Sequence, residues 1–187
     1  MGRSLLIIGA GVYGLVAKEI ADSMQCFDKI SFIDDRAQST PNGLSVIGTV
    51  QDLPNLLQEY DSALVAIGNA KLRGDLLRVV SALGYDVAIL ISPLAYVSSS
   101  VKVGRGSIIE PMAVLHTGVV LGDGCLISAG AVVNHCCVLE PYVHVDCNGT
   151  VSGYSRVPCA TKVHSGEVFQ GGDVSPSEVY ASINFVK

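Results

Sequence analysis

The chain has 187 residues, 49% of them apolar and 16% charged, with a formal net charge of −5. That length suits one large domain or two small ones, and the composition is too apolar for a disordered chain. The acidic balance, with no basic run, argues against a nucleic-acid surface and leaves backbone N–H groups as the means of holding any phosphate. No apolar run approaches the roughly 20 residues of a membrane-spanning helix. Residues 5–14 are apolar but lack the basic lead and small-residue cleavage site of a signal peptide. Cys26, Cys125, Cys136, Cys137, Cys147 and Cys159 form no C-x-x-C pair. They read as reduced thiols, so a cytoplasmic protein is expected.

In chain order, Ser4-Leu5-Leu6-Ile7-Ile8 is a short apolar run without alternation, the pattern of a buried parallel strand. It runs into Gly9-Ala10-Gly11-Val12-Tyr13-Gly14, a match to G-x-G-x-x-G. A helical pattern with Val12, Leu15, Val16, Glu19 and Ile20 follows to about Ser23. Strand, glycine turn and helix are the context this motif needs, because the helix N-terminus offers free N–H groups to a phosphate. Residues 29–33 form the next strand and end in Asp34-Asp35, placed to accept hydrogen bonds from a ribose or base. Asp52 reads as a helix N-cap, with Pro54 in the first turn and Leu53, Leu56 and Leu57 on the buried side. Residues 62–67 are a third buried strand, ending at Gly68-Asn69. A helix with Leu72, Leu76, Val79, Val80 and Leu83 inward stops at Gly84, and a last strand covers 87–91. Alternating strands and helices predict a small Rossmann-like parallel α/β domain over residues 1–92. Gly11, Gly14, Asp34, Asp35, Gly68 and Asn69 all fall at its strand ends, where such sheets bind ligands. The domain is short for a dinucleotide, so one nucleotide unit is expected.

Pro93 breaks this pattern, and from Val97 a strict period of six begins. Val97, Val103, Ile109, Leu115, Leu121, Ile127, Val133, Leu139, Val145, Val151, Val157, Val163 and Phe169 are all apolar. Four residues after each of these from Val97 to Val157 stands a small or β-branched residue, such as Ser107, Ala113, Cys125, Ala131, Cys137, Gly149 and Ser155. A helix repeats at 3.6 and a strand at 2, so a period of six predicts a β-helix whose coils bury both columns. That domain is expected over 93–174, with a tail at 175–187 where the frame fails.

All four histidines, His116, His135, His144 and His164, lie in the hexad domain. Histidine is the side chain best suited to take a proton near neutral pH. His135 and His144 are one and a half hexads apart, which predicts different faces of the coil or neighbouring subunits. His135, Cys136, Cys137, His144 and Cys147 are soft ligands close in sequence. Successive side chains on a β path point to opposite sides, however, so no metal site is expected.

Ile8 to Gly14, Phe32-Ile33-Asp34-Asp35, Val65-Ala66-Ile67-Gly68-Asn69, and hexads containing Asn134-His135, His144 and Ser152-Gly153 together resemble one family. It is the sialic-acid O-acetyltransferase-like group of hexapeptide-repeat acyltransferases, with the UDP-4-amino-sugar N-acetyltransferases of bacterial glycan synthesis. The resemblance implies a left-handed β-helix and a homotrimer with active sites between subunits. It implies acetyl-CoA as co-substrate and a UDP-type sugar held by the α/β domain, with Gly11, Tyr13, Gly14, Asp34, Asp35, Gly68 and Asn69 lining the pocket. By position His135 matches the catalytic base, His144 a second histidine near the acetyl groups, and Gly153 a glycine whose N–H meets the acetyl carbonyl. The family commonly has an acidic residue after the catalytic histidine; Cys136 holds that place here and is expected in the catalytic site with His135. It usually has a histidine before the last glycine of the turn, where this chain has Tyr13. Relatives continue through further Gly-Ala-Gly coils and a Val-Pro-Ala-Lys-like element that help hold CoA. Here the tail, with Pro176, Tyr180 and Phe185, is expected to cap the last coil. An N-acetyltransferase is the expected activity. A sugar O-acetyltransferase and a non-catalytic nucleotide-sugar-binding relative are the alternatives.

Overall fold

The computed structural model describes residues 3–172 together with Val174, Ser175, Ser177 and Val179. Pro176, Tyr180 and Phe185 lie outside the described residues. Contacts divide the chain into two compact units, Met1–Pro93 and Leu94–Lys187.

In the first unit β1 (Arg3–Ile8) pairs in parallel with β2 (Phe27–Ile33) on one side and β3 (Ser62–Val65) on the other. β4 (Asp86–Val87) lies beyond β3, giving the order β2-β1-β3-β4. Leu5, Leu6 and Ile7 in the interior strand are fully buried, which is why the run does not alternate. The segment expected as one strand over 87–91 is broken into β4 and β5 (Leu90–Ile91).

Helix α1 (Val12–Met24) buries Gly14, Ala17, Ile20 and Ala21, not the larger Val12, which is exposed. Small residues win that face because the helix lies close to the sheet: a Cβ on Gly14 would run into the Gly9 carbonyl oxygen. Asp52 stands at the N-cap of α2 (Leu53–Leu56), but its side chain makes no cap bond there. Its carboxylate instead accepts from the Thr49 N–H at 2.8 Å and the Thr49 hydroxyl at 2.9 Å, a capping box around the turn Val50–Asp52. Helix α3 (Ala70–Leu83) ends at Gly84 in a left-handed C-cap, as expected. Its buried stripe is Arg73, Leu76, Leu77 and Val80, while Leu72 and Val79 face outward. The stripe is rotated because Arg73 turns inward: its guanidinium donates to the carbonyls of Ile67 at 2.8 Å and Gly68 at 2.9 Å.

The second unit is a left-handed parallel β-helix, an exception to the usual right-handed crossover. Its first coil carries β6 (Tyr96–Val97), β7 (Lys102–Val103) and β8 (Ile108–Ile109). The second carries β9 (Val114–Leu115), β10 (Val120–Leu121) and β11 (Leu126–Ile127). The third carries β12 (Val132–Val133), β13 (Val138–Leu139) and β14 (His144–Val145). The fourth carries β15 (Thr150–Val151), β16 (Arg156–Val157) and β17 (Lys162–Val163), and β18 (Val168–Phe169) opens the next. Coils stack in register, so Val133 lies on Leu115 and Val151 lies on Val133. One face is β7-β10-β13-β16 and another β6-β9-β12-β15-β18, while β8, β11, β14 and β17 stack on the third.

The second residue of each strand points inward. Ile109, Leu115, Ile127, Val133, Val145, Val151, Val157 and Val163 are fully buried, as are Ala113, Cys125, Ala131 and Cys137 of the small column. Between the two columns a positive φ recurs at every sixth residue from Gly106 to Gly166, including Met112, Cys136, Tyr142, Asn148, Tyr154 and Ala160. Each is the left-handed residue that turns one corner.

The cap expected on the last coil falls on residues outside those described. Val174 and Val179 are buried against Cys136 and Val138, beside the third coil.

Candidate functional site

The His135 corner is built by register. Val133 ends β12 with its side chain in the core, and the chain must then turn before β13, with Cys136 at φ 56°. His135 therefore falls on the outer side of a corner, partly exposed. Its N–H is satisfied by the Asn134 side-chain oxygen at 2.8 Å. One coil later the same corner position is Gly153. A Cβ there would stand 2.7 Å from His135 Cε1, 3.0 Å from Nε2 and 3.2 Å from Nδ1, so the imidazole lies against bare backbone. Tyr154 meets the ring edge-on, with centroids 4.8 Å apart at 74°. The Tyr154 N–H also donates to the His135 carbonyl at 3.1 Å. Sequence reasoning found His135 and Gly153 but missed Tyr154. Adding three hexads to Cys136 would have led to it.

The two cysteines beside His135 are both buried. Cys137 lies in the small inward column, where its thiol donates to the Ser152 carbonyl at 3.0 Å and burial pushes its pKa up to about 11. Cys136, paired with His135 as catalytic in the sequence reading, packs its side chain with Val174 and Val179.

His144 lies on a different face, at the outward position of β14. Its Nε2 is 3.1 Å from the hydroxyl of Ser128 and 4.0 Å from Asp146 Oδ1. Asp146 is bridged to Lys162 at 2.9 Å, and that hydrogen bond is the largest of the causes holding its pKa down to about 2. Ser128, Asp146 and Lys162 carried no signal in the hexad pattern, since each occupies an ordinary outward or corner position.

In the first unit the glycine turn separates into two kinds of glycine. Gly9 has φ 110°, and a Cβ on it would press on the Ala66 carbonyl oxygen at 2.8 Å; with Gly14 it serves the packing of strand and helix. Gly11 and Gly68 are exposed with open space where a Cβ would be. Asp34 follows β2 and turns back on the loop: Oδ2 accepts from Ala10 N–H at 2.8 Å, and Oδ1 from the N–H groups of Arg36 at 2.8 Å and Ala37 at 3.0 Å. Asp35 Oδ1 accepts from Val50 N–H at 2.9 Å. Asp34, Asp35, Gly48 and Thr49 line a cleft of about 510 Å³. Asn69 caps α3, its side-chain oxygen accepting from Leu72 N–H at 2.9 Å. Tyr13 sits partly buried in the first turn of α1. Among the described residues no group of three His, Cys, Asp or Glu is placed to hold a metal ion. No helix among them is long and apolar enough to cross a membrane.

A left-handed hexad β-helix with an imidazole clamped at one corner, following a small parallel α/β unit, is the framework of the hexapeptide-repeat acyltransferases. Residues 4–80 match the family model of the PglD N-terminal domain. The structure superposes on the acetyltransferase domain of PglB from Neisseria gonorrhoeae FA1090, solved in complex with acetyl coenzyme A, with a TM-score of 0.86 and 36% identity over 91% of this chain and 83% of that one. It also matches PerB from Caulobacter crescentus, solved with CoA and GDP-perosamine, with a TM-score of 0.75 and 26% identity over 90% of this chain and 89% of that one. WeeI from Acinetobacter baumannii AYE shares the fold at a TM-score of 0.65 and 20% identity over 92% of this chain and 91% of that one. No curated protein matches the chain. The chain belongs to the hexapeptide-repeat acetyltransferase family.

Proposed function

We propose that the chain transfers the acetyl group of acetyl-CoA to the amino group of a nucleotide-linked amino sugar in bacterial glycan synthesis, with His135 as general base. The clamped imidazole of His135 carries this reading: it is partly open to solvent, and its ring is set by Gly153 and Tyr154. As the sugar nitrogen attacks the thioester carbonyl, His135 takes the proton that the nitrogen must shed. The C–S bond breaks and the proton returns to the departing sulfur, leaving amide and free CoA. The Gly153 N–H is the candidate donor to the oxyanion. His144, fixed by Ser128, is the candidate contact to the acetyl donor. The coils beyond His135 keep their frame, with Val157 and Val163 fully buried, which supports a groove for CoA along them.

The open glycines Gly11 and Gly68 and the cleft at Asp34 and Asp35 support nucleotide binding in the first unit. Neighbouring PerB carries GDP-perosamine, so both UDP and GDP sugars belong in the test. The trimer expected from the resemblance finds support in one face of the β-helix. Its outward column is Tyr96, Val114, Val132, Thr150 and Val168, with Tyr96 61% and Val168 55% exposed. His135 follows β12 of that face by two residues, which suits a site shared between subunits. The reading places the work in the cytoplasm, where acetyl-CoA is supplied.

The test is an assay of thiol release with acetyl-CoA and 4-amino sugars bearing UDP or GDP. Turnover with an N-acetylated product is expected, and His135→Ala should lower it roughly 100- to 10,000-fold with sugar-nucleotide binding retained by calorimetry. Absence of turnover, an O-acetylated product, or turnover indifferent to His135→Ala overturns the reading.

A further inference from the structure

The end of the described chain runs back across the coil that carries His135. After β18, Gly171 N–H donates to the Ser155 hydroxyl at 3.2 Å, Gly172 forms an antiparallel bridge with Ser155, and Val174 N–H donates to the Tyr154 carbonyl at 3.2 Å. Val174 is 5% exposed and Val179 1%, and the two enclose Cys136. A Cβ on Gly118 would stand 3.2 Å from Val179 Cγ1 and 3.3 Å from Cys136 Sγ. Gly118, Cys136 and Tyr154 are the left-handed residues of one corner in successive coils. Val174 thus meets that corner column at Tyr154 and Cys136, and Val179 meets it at Cys136 and Gly118.

The chain neighbour of His135 and one of the two residues against its ring are held in this way. Cys136 follows His135 directly, and Tyr154 supplies the ring that meets it edge-on. A small apolar thiol at 136 accommodates two valines, whereas a carboxylate there would be buried with a large desolvation cost. Gly118, with no side chain, leaves room for Val179. The cysteine, the glycine and the two valines form one complementary set, next in the chain to His135.

We propose that the segment carrying Val174 and Val179 is a positioning strap for His135, fixing the corner on which the base sits. The inference rests on the catalytic reading of His135. Displacing a catalytic group by about 1 Å costs on the order of a hundredfold in rate, so a loosened corner is read in kcat before it is read in binding.

The test uses the full chain with Val179→Ala and the conservative Val179→Ile. Iodoacetamide labelling of Cys136 is followed by peptide mass spectrometry; neighbouring Cys137, with its thiol pushed up to about 11, reacts slowly and is distinguished by fragmentation. In Val179→Ala, Cys136 labelling should rise about tenfold. Its kcat should fall about tenfold with KM for both substrates within about twofold, and Val179→Ile should restore labelling and kcat together. Raised labelling with unchanged kcat overturns the positioning role, and unchanged labelling overturns the docked strap. Val174→Ala gives the same paired readout if Val179→Ala does not fold. Failure of the catalytic reading looks different: His135→Ala would keep full turnover while Cys136 labelling still reported whether the strap is docked.

Discussion

Gly153 is the position where a single methyl group would be felt most directly. The methyl of Gly153→Ala would fall 2.7–3.2 Å from three atoms of the His135 ring, so the imidazole must tilt away from the backbone beneath it. A fall in kcat of about 10- to 100-fold, with the melting temperature nearly unchanged, is expected from steady-state assays and thermal melts. Asp34 acts on the glycine turn in a similarly local way. Burial alone would raise its pKa, but the N–H groups of Ala10, Arg36 and Ala37 outweigh that and hold it below the ordinary 3.8. A carboxyl lowered on folding adds stability that is present above the unfolded value and lost as pH falls through the folded one. Asp34→Asn should therefore lower the melting temperature at neutral pH and change it much less at acid pH below the folded value, where the native carboxylate is protonated. Equal losses at both pH values would show that Asp34 acts through shape, not charge.

At the scale of the element, the corners set the stability of the β-helix. Ala160 turns one corner at φ 58° and is exposed, so its side chain gains little from packing while its backbone is strained. The left-handed region costs an L-residue roughly 1–2 kcal/mol, and glycine's added chain entropy takes back about 0.5–1 kcal/mol of that. Ala160→Gly is expected to stabilise by about 0.5 kcal/mol in denaturant titrations. The reverse change at Gly130, φ 70°, should destabilise, because a Cβ would also meet the Asn148 side chain. The same corners carry the site: His135 is available to solvent only because the residue after it turns, and Tyr154 reaches the imidazole only because its own corner sits one coil on. In the α/β unit the equivalent device is Arg73, which leaves the solvent face of α3 to hold the carbonyls of Ile67 and Gly68 and so sets the loop that Asn69 caps.

At the scale of the whole molecule, the proposed assembly and the proposed catalysis share one face of the β-helix. Val132 is the outward residue of β12, on the column that runs from Tyr96 to Val168. If copies associate through that column, Val132→Glu buries a charge at the contact and should dissociate the trimer, with activity lost alongside it. Light scattering after gel filtration, read beside the thiol-release assay, checks both. An unchanged mass, or full activity in a monomer, would remove the shared-site reading.

The period of six determined the β-helix and its two inward columns without help from the structure. Every coil repeats one steric problem, and the sequence solves it with the same residue classes each time. The parallel α/β unit was equally legible in its strands, its glycine turn and its Gly84 stop. The faces of its helices were not. Val12, Leu72 and Val79 look inward by hydropathy, yet Gly14 and Ala17 face the sheet where α1 comes close, and Arg73 is drawn in by two carbonyls. His135 and Gly153 were named by resemblance, but their contact follows from stacking coils in register, which a linear pattern does not express. Only the tertiary structure decided the place of Cys136, Val174 and Val179. Burial is a property of what comes to lie against a side chain, and Val174 and Val179 reach Cys136 from far along the chain.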